Sequence, residues 1–161
     1  MKKRDFLTLS DLSQAEHAWL LDRAITLKRL RRAGTLVNTL QGKTLVLVFE
    51  KASTRTRVSF EAAMAELGGH PIALPTQDSQ IARGEPLPDT ARVLSGYAHG
   101  IVMRTFADAR LAELAANATV PVINGLTDGA HPVQLLADLM TIQERLGRIS
   151  GLRVAFYGDC E

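Results

Sequence analysis

From Thr44 to Phe49 the chain reads Thr-Leu-Val-Leu-Val-Phe, apolar at every position after the first. A strand with one wet face alternates apolar and polar residues, whereas a strand covered on both faces is apolar throughout, as in a parallel sheet. Parallel neighbours need crossover connections, normally helices, so this run points to an α/β layer arrangement. It leads directly into Phe49-Glu50-Lys51-Ala52-Ser53-Thr54-Arg55-Thr56-Arg57-Val58-Ser59-Phe60, and helical spacing begins at Thr54 and extends to Leu67. Between strand and helix lie three hydroxyls and two guanidinium groups within five residues, Ser53 to Arg57. A helix start leaves backbone N–H groups free and carries the positive end of the helix dipole. Ser53 is the expected N-cap, with Thr54 and Thr56 adding hydroxyls beside it. The junction suits a phosphate or another small oxyanion.

The rest of the chain alternates in the same way. Ser10-Asp11-Leu12-Ser13 marks a helix start, followed by Ala18, Leu21, Ala24, Ile25 and Leu27 at helical spacing, with an end near Arg32 and Gly34. Trp19 is assigned to core or domain-edge packing. In the helix after Thr54, Val58, Ala62 and Ala65 form one row with Phe60, Met64 and Leu67 beside it. Gly68-Gly69 stops that helix, and His70 to Leu74 reads as a short second strand. Pro75 to Pro88 has no periodicity over fourteen residues, the length of a lid or binding loop. Asp89 is the expected cap of a helix to about Ala98, with Val93, Leu94 and Tyr97 inward. Gly100 to Arg104 is a third strand, Asp108 to Ala118 a helix and Val120 to Asn124 a fourth strand. The loop Asn124 to His131 delivers Pro132 to the first position of a helix carrying Leu135, Leu139, Ile142 and Leu146 on one stripe, and Gly147 is a natural stop. Leu152 to Tyr157 reads as a fifth strand.

The expected fold is α/β: an open, mainly parallel four-stranded sheet with helices on both faces and right-handed crossovers. In such sheets ligands bind outside the carboxyl ends of the strands. Three features fall there: Ser53 to Arg57 after the first strand, Arg104 ending the third, and His131 with Gln134 after the fourth. Arg55 and Arg57, two residues apart, point roughly 200° from each other on a helix, so they do not share an anion. Arg55 is the candidate ligand; Arg57 is structural support, braced on Glu61 or on Glu50. His131 and Gln134, three apart, share a face and can donate hydrogen bonds to a carbonyl oxygen. Asp138, four beyond Gln134, either orients that amide or has no such role.

Composition removes several function classes. The net charge is +2, and the short basic runs Met1-Lys2-Lys3-Arg4 and Lys28 to Arg32 are too brief to argue for nucleic acid. The second suits the end of a helix, where cations complement the dipole. No apolar run approaches the ~18 residues of a membrane span, and no signal-peptide pattern follows Met1. A single cysteine, Cys160, excludes an internal disulfide and a Cys-rich metal site. His17, His70 and His99 lack metal-ligand spacing, and there is no dinucleotide or P-loop fingerprint. The expectation is a cytoplasmic protein without metal.

Two motifs resemble one family. Phe49-Glu50-Lys51-x-Ser53-Thr54-Arg55-Thr56-Arg57-x-Ser59-Phe60-Glu61 is similar to the carbamoyl-phosphate signature of aspartate and ornithine carbamoyltransferases, and His131-Pro132-x-Gln134-x-Leu136-Ala137-Asp138 to their second signature. Ser79-Gln80-x-x-Arg83-Gly84-Glu85, Val102 to Phe106 and Asn124 to Asp128 resemble the ornithine branch; the aspartate branch usually has a catalytic lysine in the first of these. Ala52 departs from the family's common proline. The resemblance implies that Ser53, Thr54, Arg55 and Thr56 hold the phosphate of carbamoyl phosphate. It also implies that Arg104, His131 and Gln134 address the carbonyl oxygen, with Arg104 reaching the phosphate too. Gln80 would reach a neighbouring site in a homotrimer. Ornithine is the implied second substrate, citrulline and phosphate the products, and no cofactor is implied.

The family's second lobe, with its Asp-x-x-x-Ser-Met-Gly and His-Cys-Leu-Pro motifs, has no counterpart here. Residues 1–148 are therefore expected to form the carbamoyl-phosphate domain and 149–161 the first strand of a second lobe, leaving the chain inactive alone. The alternatives are an aspartate or other amine carbamoyltransferase and a non-catalytic anion-binding or trimerising module.

Overall fold

The computed structural model describes residues 3–75, 79–155 and 157–158. Four strands, β1 (Thr44–Phe49), β2 (His70–Pro75), β3 (Gly100–Arg104) and β4 (Val122–Leu126), form one sheet in the order β2-β1-β3-β4, all pairs parallel. Among the described residues five α-helices surround them: α1 (Gln14–Arg32), α2 (Arg55–Glu66), α3 (Leu87–Tyr97), α4 (Asp108–Asn117) and α5 (Pro132–Leu146). The expected four-stranded α/β fold is the observed one.

Burial follows strand register. Val46 pairs with Ile101 and Val48 with Met103, so these four share a face, where they pack with Val122 against Leu87 and Ala91 of α3 and Leu111, Leu114 and Ala115 of α4. On the other face Leu47 pairs with Val102, and both are fully buried. Strand β1 is thus enclosed on both sides, as its unbroken apolar run requires. Each large aliphatic side chain buried in this way contributes about 1.5–3 kcal/mol. Helices α1 and α5 contact each other, joined by Lys28 to Glu144 at 2.5 Å.

Local sequence explains most boundaries. Ser13 caps α1 reciprocally with Glu16: the Glu16 N–H donates to Ser13 Oγ at 3.3 Å, and the Ser13 N–H to Glu16 Oε2 at 2.8 Å. Gly147 ends α5 at φ 71°, a left-handed turn that glycine adopts without strain.

Several expectations are corrected. Thr54, not Ser53, is the N-cap of α2, and its side chain makes no capping bond. Helix α3 starts at Leu87 behind Pro86, and Asp89 instead pairs with Arg92 at 2.7 Å. That start selects the row Leu87, Thr90/Ala91, Leu94 and Ala98 for burial, leaving Val93 and Tyr97 exposed on the other side. Strand β4 begins after Pro121, which has no N–H for the ladder. Trp19 is 65% exposed rather than packed in a core or domain edge. On α5, Leu135 and Leu146 are exposed ends of the expected stripe. Within the predicted fifth strand, residues 152–155 and 157 have no regular structure and Phe156 lies outside the described residues; among the described residues no strand pairs with this stretch. The chain start supplies an unanticipated partner instead. Phe6 bridges in parallel to Ile123, donating its N–H to the Val122 carbonyl and accepting from the Asn124 N–H.

The topology places the site. The chain steps from β1 outward to β2, then crosses back over β1 to β3 and continues to β4. The order reverses between β1 and β3, where helices leaving neighbouring strands diverge and a crevice opens at the carboxyl ends.

Candidate active site

Phe49 and Arg104 end β1 and β3 as register partners, and the Glu50 N–H donates to the Arg104 carbonyl at 2.8 Å. The junction Ser53 to Arg57 and the guanidinium of Arg104 therefore leave the sheet side by side. Arg104 also faces Leu126 of β4, the strand whose following loop ends at His131, the N-cap of α5. Pro132 occupies the first turn of that helix, as its fixed φ favours.

Two side chains at the β1 exit tie these segments together. Glu50 accepts from Thr105 Oγ1 and from Arg110 through Nε at 3.2 Å and Nη2 at 2.5 Å. Burial alone would raise the Glu50 pKa; the hydrogen bonds from Arg110 and Thr105 outweigh it and hold the carboxyl below its ordinary value. Lys51 forms an ion pair with Asp128 in the loop after β4, its ammonium standing 4.5 Å from the centre of the Phe106 ring. Glu50 is thus unavailable to Arg57, which pairs with Glu61 at 3.7 Å, one of the two partners expected. Sequence reasoning did not find the Glu50–Arg110 and Lys51–Asp128 braces. Their partners lie 60 and 77 residues away, beyond any periodicity.

Electrostatics join the candidate ligands. Arg104 has its pKa lowered by burial and by the nearby charge of Arg55. His131 has its own lowered by burial and by Arg104, with Asp138 working partly against both. Arg104 Nε and His131 Nδ1 are buried with no hydrogen-bond partner among the described residues. Buried polar groups are nearly always satisfied, and unsatisfied ones cost about 1–3 kcal/mol each. Here they line a space where positive groups repel one another. An anion bearing an additional acceptor oxygen would relieve both conditions. Burial and Arg104 thus favour the neutral imidazole of His131, which presents one ring N–H.

The structure brings Arg55, Arg104 and His131 together, with Thr54 at the α2 start and Ser53 and Thr56 half-buried beside it. Gln134 is exposed on the first turn of α5, its amide donating to Asp138 Oδ1 at 2.9 Å, so Asp138 does orient it. Gln80 begins a short 3-10 helix, Gln80–Arg83, inside the expected loop; it is exposed, and no described hydrogen bond links it to the cluster. A cleft of about 930 Å³ between α1 and α2 has Thr54 and Arg55 in its wall but neither Arg104 nor His131, so it is distinct from the space those two line. Among the described residues no group of three or more His, Cys, Asp or Glu is placed to hold a metal ion, and no helix is long and apolar enough to cross a membrane.

Fold and site define a doubly wound α/β domain whose candidate site stands where the strand order reverses. The sequence pattern described as "Aspartate/ornithine carbamoyltransferase, carbamoyl-P binding domain" matches residues 4–144, and the chain belongs to that family. The ornithine carbamoyltransferase of Anoxybacillus flavithermus is 54% identical over 159 residues, 99% of this chain and 51% of that protein. Among solved structures, the ornithine carbamoyltransferase of Pyrococcus furiosus aligns with TM-score 0.86 and 51% identity over 89% of this chain and 46% of its own. An aspartate transcarbamoylase of Trypanosoma cruzi in complex with carbamoyl phosphate aligns with TM-score 0.85 and 34% identity over 91% of this chain and 48% of its own. The chain spans about half the length of the curated relatives it matches.

Proposed function

We propose that this chain is the carbamoyl-phosphate-binding half of an ornithine carbamoyltransferase. The observation that carries the proposal is the convergence of Arg55, Arg104 and His131 on one space, with Arg104 Nε and His131 Nδ1 left unpartnered. In this reading Ser53, Thr54, Arg55 and Thr56 hold the phosphate at the α2 start, where free N–H groups add to the charge. Arg104, His131 and Gln134 address the carbonyl oxygen, and Arg104 spans both groups.

The chemistry follows from that placement. The neutral δ-amine of ornithine attacks the carbamoyl carbon. A C–N bond forms, the C–O bond to phosphate breaks, and the amine proton passes to a phosphate oxygen or solvent. Negative charge grows on the carbonyl oxygen and on the departing phosphate, where fixed donors stabilise it more than they stabilise the substrate. Binding two reactants together supplies much of the remaining acceleration. Residues 1–148 supply the first site, and 149–161 lead toward a lobe that holds ornithine. In this reading the chain assembles as a homotrimer in which Gln80, exposed on its own loop, reaches a neighbouring site. Ornithine is preferred to aspartate as acceptor because relatives near half identity bear the ornithine name, whereas the fold is shared by both branches.

Calorimetric titration of the chain with carbamoyl phosphate tests the first-substrate claim, with inorganic phosphate as competitor. Competitive binding that perturbs the His131 ring resonances is expected; binding that leaves them unmoved would place the anion elsewhere. Joining the chain to an ornithine-binding lobe and assaying citrulline against carbamoyl aspartate tests the acceptor.

A further inference from the structure

We propose that Asn124 is a positioning residue for this site, its buried amide clamping the loop 125–130 so that Arg104 and His131 meet a single ligand. The proposal rests on the functional reading above only for what that ligand is.

Asn124 is 1% exposed, at the position where β4 departs from regular pairing. Met103 pairs with Asn124 but Arg104 pairs with Leu126, so Gly125 is an extra residue bulged opposite the base of Arg104. A Cβ at Gly125 would lie 3.0 Å from Val102 Cγ1 and 3.3 Å from the Met103 carbonyl, so the bulge is seated tightly against β3. Leu126 then takes φ 138°, a region that non-glycine residues enter only when their surroundings compel it. The compulsion is visible. Asn124 Oδ1 accepts the Leu126 N–H at 2.9 Å, and the Leu126 carbonyl accepts the Thr105 N–H at 3.0 Å.

The other half of the same amide controls the approach to His131. Asn124 Nδ2 donates to the Leu7 carbonyl at 2.9 Å, and at 3.3 Å to both Thr127 Oγ1 and the Ala130 carbonyl. Thr127, 3% exposed, accepts the Ala130 N–H on its hydroxyl at 3.2 Å and donates its own N–H to the Ala130 carbonyl at 2.9 Å. Ala130 immediately precedes His131. One side chain therefore fixes the bulge beside Arg104 and the residue before His131. A two-arm hub of this kind explains how donors on different strands keep a common aim without any direct bond between them.

The test uses Asn124→Ala, with Thr127→Val as a second variant that leaves the Leu126 and Leu7 bonds intact should the first fail to fold. NMR titration of the His131 ring is the primary reading, because it needs no ligand and responds to the distances of Arg104 and Asp138, the charges that face it. Both variants are expected to shift the His131 titration, while the exposed His70 ring signals stay in place. Affinity for carbamoyl phosphate relative to inorganic phosphate is expected to fall about tenfold, because Arg55 and the α2 start still hold phosphate. Folded variants with an unshifted His131 titration and an unchanged affinity ratio would reduce Asn124 to a framework residue and overturn the proposal. A wild-type chain that binds no carbamoyl phosphate would refute the functional reading instead, and the His131 titration would still decide the clamp.

Discussion

Arg55 and Arg104 bring their guanidinium groups toward one space from the exits of adjacent strands, and neither forms an ion pair with a described carboxylate. Around the β1 exit, by contrast, three charges are paired among the described residues: Glu50 with Arg110, Lys51 with Asp128 and Arg57 with Glu61. The sheet holds this unmatched pair together against its own repulsion.

Arg55→Ala should abolish most anion binding and leave the fold intact. A charge-assisted hydrogen bond contributes about 1.5–3 kcal/mol, which corresponds to roughly a tenfold to hundredfold loss of affinity. Calorimetry with carbamoyl phosphate measures it; an unchanged isotherm would place the anion away from the α2 start.

The lowered pKa of His131 has a definite sign in stability. The unfolded chain binds the His131 proton more readily than the folded one, so unfolding gains protons as pH falls below 6.5 toward the folded value. Stability present above that window is therefore lost on entering it. His131→Gln should lose less stability than wild type between pH 7.5 and 5.5 in urea titrations. Identical losses would show that burial and Arg104 do not suppress the charged imidazole.

Glu16 gives the complementary case at acid pH. Hydrogen bonds from Arg4 and from the Ser13 backbone and side chain lower its pKa from 4.5 to about 2. Stability it contributes above 4.5 is lost as pH falls toward about 2. Glu16→Gln should flatten the acid limb of the thermal midpoint against pH, while the limb near neutrality keeps its shape.

Glu50→Ala should destabilise by about 1–3 kcal/mol, because it leaves the fully buried Thr105 Oγ1 without its partner, while Arg110, 43% exposed, keeps part of its hydration. Equilibrium denaturation supplies the number. A change under 0.5 kcal/mol, the range of ordinary surface substitutions, would mean that the Arg110 brace is solvated rather than structural.

Gly125→Ala should cost about 1–3 kcal/mol, since its Cβ would crowd Val102 and the Met103 carbonyl inside a packed sheet. A melting temperature equal to wild type would show that the bulge relaxes freely, and would weaken its link to the aim of Arg104.

Much of this was legible in the sequence. The run Thr44 to Phe49 identified a strand enclosed on both faces, and alternation with helical segments identified a parallel sheet whose carboxyl ends collect ligands. Arg55, Arg104 and His131 were recognisable because they follow three different strands. Local capping signals misplaced two helix starts: Thr54 rather than Ser53 caps α2, and Asp89 lies inside α3, where it pairs with Arg92 one turn on. In the sequence Asn124 is the last residue of the expected fourth strand and the first of the loop to His131, with no role assigned to its amide. Its importance depends on Leu7 and Ala130 arriving from either side.

The sequence by itself determined the four strands and five helices from α1 to α5, where each ends within a few residues, and which charged side chains stand at the strand exits; it erred in adding a strand after α5. These properties depend on periodicity and on neighbours within a few positions. Only the tertiary structure decided that β1 and β3 are adjacent, that Glu50 belongs to Arg110 and Lys51 to Asp128, and that Arg55, Arg104 and His131 share one space. Those outcomes depend on strand order and on a one-residue bulge, which bring together groups that nothing in the local chain relates.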